Sequence, residues 1–276
     1  VKKWPISKIA LTVILFACGI IFLLPFIWMI STSLKVEQDV FKFPIEWIPS
    51  QFNGEANYKK VWLGDYPFYL YYWNTIKVTI LTTFTSVLVS SMAAYGFTKV
   101  NFRGNNFLFL IVLATFMVPQ QSIIVPQFLL MREIKLFDTH LGLVLLGSFS
   151  VLGTFMLRQF FMSINNEFIE AARIDGAGHA RIFLNVTMPM IRPAIATYGI
   201  LRFIWTWNDY QNPLIFLRTD KYYTLQLAMN KFSDTYGQFY SLTMAAAVSA
   251  IIPLLIVFLI GQKQVIEGIA LGGVKG

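Results

Sequence analysis

The sequence predicts an all-α integral membrane protein of about six transmembrane helices, and three observations predict it. Of 276 residues, 56% are hydrophobic and 16% aromatic, while only 13% are charged. A soluble domain carries about 25% charged residues. No single core of this size could bury 26 Phe with the accompanying Leu and Ile, so lipid is the solvent for much of the chain. Second, apolar stretches of the roughly 20 residues needed to cross a hydrocarbon core recur six times along the chain. Third, Lys and Arg are scattered through the segments between those stretches, as expected of membrane topology.

In order, the stretches are Ile9–Leu34, Thr75–Phe97, Phe107–Met131, His140–Phe161, Ala194–Leu217 and Leu242–Ile260. The first follows Lys2, Lys3 and Lys8 like the charged start of a signal peptide. Its apolar run exceeds the usual 7–15 residues and no small-residue cleavage site follows, so it reads as a retained span with a cytoplasmic N-terminus. The second is rich in Thr79, Thr82, Ser86, Ser90, Ala94 and similar small or hydroxylated residues, which allow close helix approach inside a bundle. Ala245, Ala246, Ala247, Ser249 and Ala250 give the sixth the same character. Pro25, Pro119, Pro126, Pro213 and Pro253 interrupt spans, each a kink that either lines a cavity or is plain packing irregularity. The run Phe68–Trp73 reads as an interfacial aromatic belt.

An even number of spans places both termini on one side. Lys and Arg counts favour the N-terminal side only weakly, while Glu37, Asp39, Glu46, Glu55 and Asp65 all fall in the first external loop. The expected organisation is one transmembrane domain over 1–276, with an external loop at 35–73, a cytoplasmic loop at 163–193 and a cytoplasmic tail at 263–276.

Other function classes find little support. The net charge is +8, but no basic run interleaves with aromatics, so nucleic acid is not an expected partner. Cys18 stands alone in an apolar run, which leaves no disulfide framework or Cys-based metal site. His140 and His179 are isolated, and neither H-E-x-x-H nor G-x-S-x-G occurs. No internal repeat or paired broken helices are evident of the kind common in ion-coupled secondary transporters. G-x-x-x-x-G-K-[ST] is also absent, so no phosphate-cradling loop belongs to this chain.

The loop between the fourth and fifth stretches is the most informative segment. Asn165 can cap a short helix, and Glu167 and Glu170 favour its positive end. Phe168, Ala171, Ala172 and Asp175 fall on one face by spacing. Gly176 and Gly178 can end it, and Ala180, Phe183 and Val186 suggest a second amphipathic helix stopped before Pro189. Such a helix suits either a groove on another protein or the membrane surface.

Glu170-Ala171-Ala172-x-x-Asp175-Gly176-Ala177, followed by Phe183 and Pro189, resembles the coupling loop of permeases in ATP-binding-cassette importers. Met188 stands where that family usually has Leu, a volume-conserving change. The resemblance implies a type I importer permease fold whose cytoplasmic coupling helix docks on an ATPase subunit, through Glu170, Ala171, Ala172, Asp175, Gly176, Ala177 and Pro189. Pro44-x-x-Trp47-x-Pro49, Ala93-Ala94-Tyr95-Gly96-Phe97, Phe102-Arg103-Gly104 and Trp207-Asn208-Asp209-Tyr210 resemble segments of the carbohydrate branch. Gly272-Gly273-Val274-Lys275-Gly276 is similar to the tail of the smaller maltose-type permease and implies ATPase contacts by Gly273, Val274 and Lys275.

The implied partners are a second homologous permease, two ATPase subunits, an extracytoplasmic sugar-binding protein and membrane lipid, in a prokaryotic plasma membrane with both termini cytoplasmic. This chain binds no cofactor in that reading; ATP and Mg sit on the partner ATPases. The alternatives are an importer of another solute or an ion-coupled carrier.

An acid within a span marks function by default. Asp209, with Asn208, Tyr210 and Trp207, either lines a substrate pathway or ties helices together. Arg202, seven residues earlier, is a possible partner for Asp209. Gln120 and Gln121, with Gln127, beside Pro119 and Pro126, form a second candidate pathway.

Overall fold

The computed structural model describes residues 6–234 and 237–273. Along the chain run α1 (Ile6–Ser33), α2 (Gly54–Leu63), α3 (Phe68–Lys99), α4 (Asn105–Thr115), α5 (Gln120–Glu133), α6 (His140–Gly147) and α7 (Val151–Ser163). They continue as α8 (Asn166–Ile174), α9 (His179–Arg181), α10 (Met188–Met190), α11 (Arg192–Trp207), α12 (Gln211–Phe216), α13 (Leu225–Ala228) and α14 (Tyr240–Gly273). Among the described residues the named strands are one short antiparallel pair, β1 (Ser233–Asp234) with β2 (Gly237–Gln238).

Among the described residues, three helical stretches are long and apolar enough to cross a membrane unaided: Lys8–Ser33, Phe68–Lys99 and Tyr240–Gln264. The third and fourth expected spans are broken. The axis turns by 97° between α4 and α5, and by 47° between α6 and α7. Counting each bent pair as one span gives five. The remaining stretch, Ala194–Leu217, is divided because α11 stops at Trp207 and α12 starts only at Gln211. The kink expected at Pro119 is thus a full break, while the breaks after Gly147 and Trp207 have no proline at the junction. Pro119, with no N–H to donate, stands at the first break. Ser150 starts α7 at the second, its Oγ accepting from the Gly153 N–H at 3.0 Å.

The chain packs as two units, the first holding residues 6–69 with 228–252 and the second 70–227 with 253–273. In the first, the most apolar 18-residue window of α1 contains no buried residue, as suits a helix set in lipid; Cys18 lies exposed on it, while Ser31, Thr32 and Ser33 at its end are buried. The connection after α1 is folded on itself: Asn57 donates from Nδ2 to the carbonyls of Ser33 and Lys35 at 2.9 and 2.8 Å. Glu37 caps α14, its carboxylate accepting from the N–H of Tyr240 at 2.8 Å and of Ser241 at 2.9 Å. A negative side chain there answers the unpaired N–H groups and positive end of that helix. The aromatic run Phe68–Trp73 is not a uniform belt: Phe68 and Tyr71 are buried, while Tyr69 and Trp73 are exposed.

The second unit has its main core where the end of α3 meets α7, α8 and α11. Ala94, Tyr95, Leu157, Phe161, Ile164, Ile169, Phe183 and Tyr198 are all buried in it. Tyr198 lies against Gly153 so closely that a Cβ there would collide with its ring, and its hydroxyl bonds Ser86 Oγ at 2.8 Å. Between α9 and α10 the helix widens into a π turn over Ile182–Thr187. The second loop helix thus continues through Pro189 rather than stopping before it. The wider register suits a proline that cannot donate to the preceding turn. A smaller core joins Val78, Met131, Leu143, Phe216 and Leu217.

Candidate functional site: an exposed loop helix and a cavity at the helix breaks

Two features in the second unit concentrate the sequence candidates. The first is α8. Asn165 caps it, its Oδ1 accepting from the Glu167 N–H at 3.1 Å. Lys99, at the end of α3, donates to the Ile164 carbonyl at 2.7 Å and to Asn166 Oδ1 at 2.8 Å. Ile169 is buried and Ala172 packs against the same core. Gly176 takes φ +79°, a left-handed turn that glycine adopts without strain, as the chain leaves the helix. One face is therefore anchored and the other left open.

That division corrects the expected face. Ala172 turns inward, while Phe168 and Ala171 are exposed together with Ile174, which is 86% exposed. Positions 168, 171 and 174 follow i, i+3, i+6 spacing, so the open stripe is apolar and runs the length of the helix. Glu170 and Asp175 are exposed beside it, Ala177 is half-buried, and Pro189 is half-buried in α10. Ile174 carried no weight in the sequence reading, although its large apolar side chain beside a helix-ending Gly was a usable signal. Of the expected tail residues, Gly273 is the last residue of α14, and Val274 and Lys275 lie outside the described residues.

The second feature is a cavity of about 1060 Å³ at which the three helix breaks converge. Pro119 and Gln120 border it from the α4–α5 break, Phe149 and Ser150 from the α6–α7 break, and Asp209 and Asn212 from the α11–α12 break. Thr79 and Thr82 of α3 and Arg202, Trp205 and Thr206 of α11 add to a wall that is otherwise largely apolar, with Val78, Ile123, Leu130, Leu143 and Leu146 among its residues. The hydroxyls of Thr79, Thr82 and Thr206 and the Nε of Arg202 have no hydrogen-bond partner within the protein among the described residues. Unpaired buried polar groups are costly in a protein interior, so this wall suits a solute rich in hydrogen-bonding groups.

The candidates separate cleanly. Asp209 and Gln120 line the cavity, as does Gln127. Gln121, one position on, is exposed outside that wall. Trp207 is fully buried, stacked on Phe203 at 5.8 Å, so it is packing. Asn208 turns its amide back to the Ile204 carbonyl at 2.9 Å, and Tyr210 is exposed away from the wall. Arg202 donates to the Gly147 carbonyl and makes no direct ion pair with Asp209, although the two charges act on each other. The two-turn spacing fails because α11 ends at Trp207, before residue 209 is reached. Asp209 accepts from the Asn212 N–H at 3.1 Å and from Asn212 Nδ2 at 2.7 Å.

Bent and interrupted membrane helices around a cavity that carries unpaired polar groups, beside a short helix with an open apolar face, are the parts of a transport subunit. Residues 86–270 match the model of one family, the binding-protein-dependent transport system inner membrane component. The chain belongs to that family. As one of its inner membrane components, it is a multi-pass transport permease. It is similar to the arabinooligosaccharides transport system permease protein AraQ of Bacillus subtilis (strain 168), 29% identical over 99% of this chain and 98% of the relative. It is also similar to the probable ABC transporter permease protein YurM of the same organism, 31% identical over 100% of this chain and 91% of the relative. Among solved structures, a chain of a bacterial ABC transporter involved in the import of the acidic polysaccharide alginate superposes with a TM-score of 0.83 at 27% identity, covering 95% of this chain and 99% of that one.

Proposed function

We propose that this chain is the permease subunit of an ATP-driven carbohydrate importer, moving a sugar or oligosaccharide by alternating access. The observation that carries the reading is the asymmetric loop helix: Ile169 and Lys99 fix one face, while Phe168, Ala171 and Ile174 are left open for a partner. The chain has no phosphate-binding loop, so ATP and Mg belong to two partner ATPases, and Glu170, Ala171, Asp175, Gly176 and Pro189 lie on or beside the face that meets one of them. Ala172 and Ala177 hold that face from beneath. Gly273, Val274 and Lys275 reach the ATPases from the tail.

The substrate class is supported by the relatives named for arabinooligosaccharides and by the alginate importer. The unpaired threonine hydroxyls, Arg202, Asp209 and Gln120 suit hydroxyl-rich solutes, and Trp205, also on the wall, offers a ring face. A second, homologous permease closes the pathway, and an extracytoplasmic binding protein delivers the sugar. Both termini and α8 face the cytoplasm of a prokaryotic cell.

The test is Glu170→Lys in a complex purified with its partners and reconstituted in vesicles. Binding-protein-stimulated ATP hydrolysis and sugar uptake should fall at least tenfold, with the binding protein's own sugar affinity unchanged. Normal uptake by an assembled variant would refute the docking role. Uptake that persists without ATP but follows a proton or sodium gradient would replace the mechanism by an ion-coupled one.

A further inference from the structure

A second pocket, apart from the transport cavity, occupies about 600 Å³ where the α3–α4 turn meets α7. Small-ligand sites commonly occupy about 300–1,000 Å³. Its polar wall is supplied by Thr98, Asn101, Arg103, Asn105, Asn106 and Arg158, and no carboxylate lines it. The Arg158 guanidinium lies 4.1 Å from the Phe109 ring centroid, with Nη1 3.3 Å from Met162 Sδ. Its Nε is a buried donor without a hydrogen-bond partner, whereas the Asn105 amide already donates to the Val100 carbonyl at 3.4 Å. Neither Arg103 nor Arg158 makes an ion pair among the described residues.

Two unneutralised guanidinium groups, with the side-chain amides of Asn101 and Asn106 beside them, suit a phosphate-type anion. The surroundings point to its source. Beside the pocket, Phe102 and Met162 are exposed on its rim, and Phe107 and Leu110 of α4 are 67% and 61% exposed. A cationic pocket edged by an open apolar surface matches a molecule with an anionic head and hydrocarbon tails. Lys99, next to Thr98, ties this end of α3 to the start of α8, so the pocket lies at the coupling-helix end of the second unit. If α8 is cytoplasmic, as proposed above, this is the inner-leaflet level, where anionic lipids attract Arg and Lys.

We infer that this pocket is a binding site for the phosphate headgroup of an anionic phospholipid, with Arg103 and Arg158 as its charge pair. Free inorganic phosphate shares the headgroup chemistry but gains nothing from the apolar rim.

The experiment uses the full chain, with whatever subunits copurify, in nanodiscs of equal phosphatidylglycerol and phosphatidylcholine. Retained lipids are counted by native mass spectrometry, with inorganic phosphate as competitor. Wild type should retain phosphatidylglycerol preferentially. Arg103→Gln should weaken retention about fivefold and the double change with Arg158→Gln about 25-fold, from the usual contribution of a basic residue at an anionic surface. Arg103 is exposed, so its single variant remains readable if loss of the Arg158–Phe109 contact impairs folding.

Unchanged phosphatidylglycerol retention in Arg103→Gln would overturn the site. Equal retention of both lipids, with inorganic phosphate bound instead, would overturn the lipid as its source. Both nanodisc leaflets have one composition, so these outcomes do not depend on which face is cytoplasmic. Failure of the Glu170→Lys test would leave them readable.

Discussion

Arg202 and Asp209 line the same cavity without a direct ion pair: the guanidinium is held by the Gly147 carbonyl and the carboxylate by Asn212. Each charge is positioned by a different helix break, α6–α7 for the first and α11–α12 for the second. A charge tethered by one or two neutral groups retains capacity for a solute, whereas a closed ion pair would neutralise itself.

Asp209→Asn separates positioning from solute contact. The remaining Oδ1 can still accept from the Asn212 N–H, so the start of α12 should persist, and the melting temperature should change little. A hydrogen bond to a charged group contributes about 1.5–3 kcal/mol, so the half-saturating concentration for transport should rise about tenfold or more. An unchanged transport curve with a lowered melting temperature would reduce Asp209 to a structural cap.

Lys99 is the clamp that seats α8. Lys99→Met leaves the Ile164 carbonyl and Asn166 Oδ1 without their shared donor, a loss of about 2 kcal/mol for buried polar groups stripped of a partner. Amides of residues 166–177 should exchange about 30-fold faster with deuterium, while those of α3 above Lys99 stay protected. Unaltered exchange across 166–177 would show that Ile169 alone holds the helix.

What the sequence made legible follows from the range of the interactions concerned. Length and apolarity marked six hydrophobic stretches, and the Asn165 cap and Gly176 turn of α8 were readable because their partners lie within a few residues. Helix continuity was not. The Pro119 break had a local signal, but Ser148-Phe149-Ser150 interrupts an apolar run with no proline, and only the Ser150 cap marks it. The inward turn of Ala172 also escaped, since it is decided by contact with a core assembled from α3, α7 and α11. Long-range caps were invisible for the same reason: Glu37 meets Ser241 across 204 positions, and nothing near either residue announces the other.

Gly153 is required by close approach, since it gives the Tyr198 ring its place. Gly153→Ala should displace that ring and break its bond to Ser86, destabilising the protein by about 1–3 kcal/mol as overpacking does. Trimming the ring with Tyr198→Leu in the Gly153→Ala background should recover part of the loss, because the two changes share one contact and are not additive. A thermal melt of the two single variants and the double variant measures it. Strict additivity would mean that the ring is not what Gly153 accommodates.

Asp138 provides a pH-sensitive link between the α5–α6 and α12–α13 connections. Burial acts to raise its pKa, but the Thr219 hydroxyl, the N–H groups of Arg218 and Thr219 and the Arg218 charge outweigh it and hold the carboxyl below its usual value. A depressed folded-state pKa means that the ionised link stabilises fully above the unfolded carboxylate value, about 3.9 for Asp. Its contribution is lost as pH falls through the lower folded value. Deuterium exchange at the Arg218 and Thr219 amides, corrected for intrinsic rates, should therefore stay slow through neutral pH and accelerate only in acid. Asp138→Ala should remove that acid transition and leave both amides fast at every pH. Asp138→Asn should remove the transition but preserve part of the protection, because one carbonyl acceptor remains and Asn tolerates the positive φ of 60° found at this position. Protection in Asp138→Ala equal to wild type at neutral pH would show that the backbone of the connection, and not this carboxylate, orders Arg218 and Thr219.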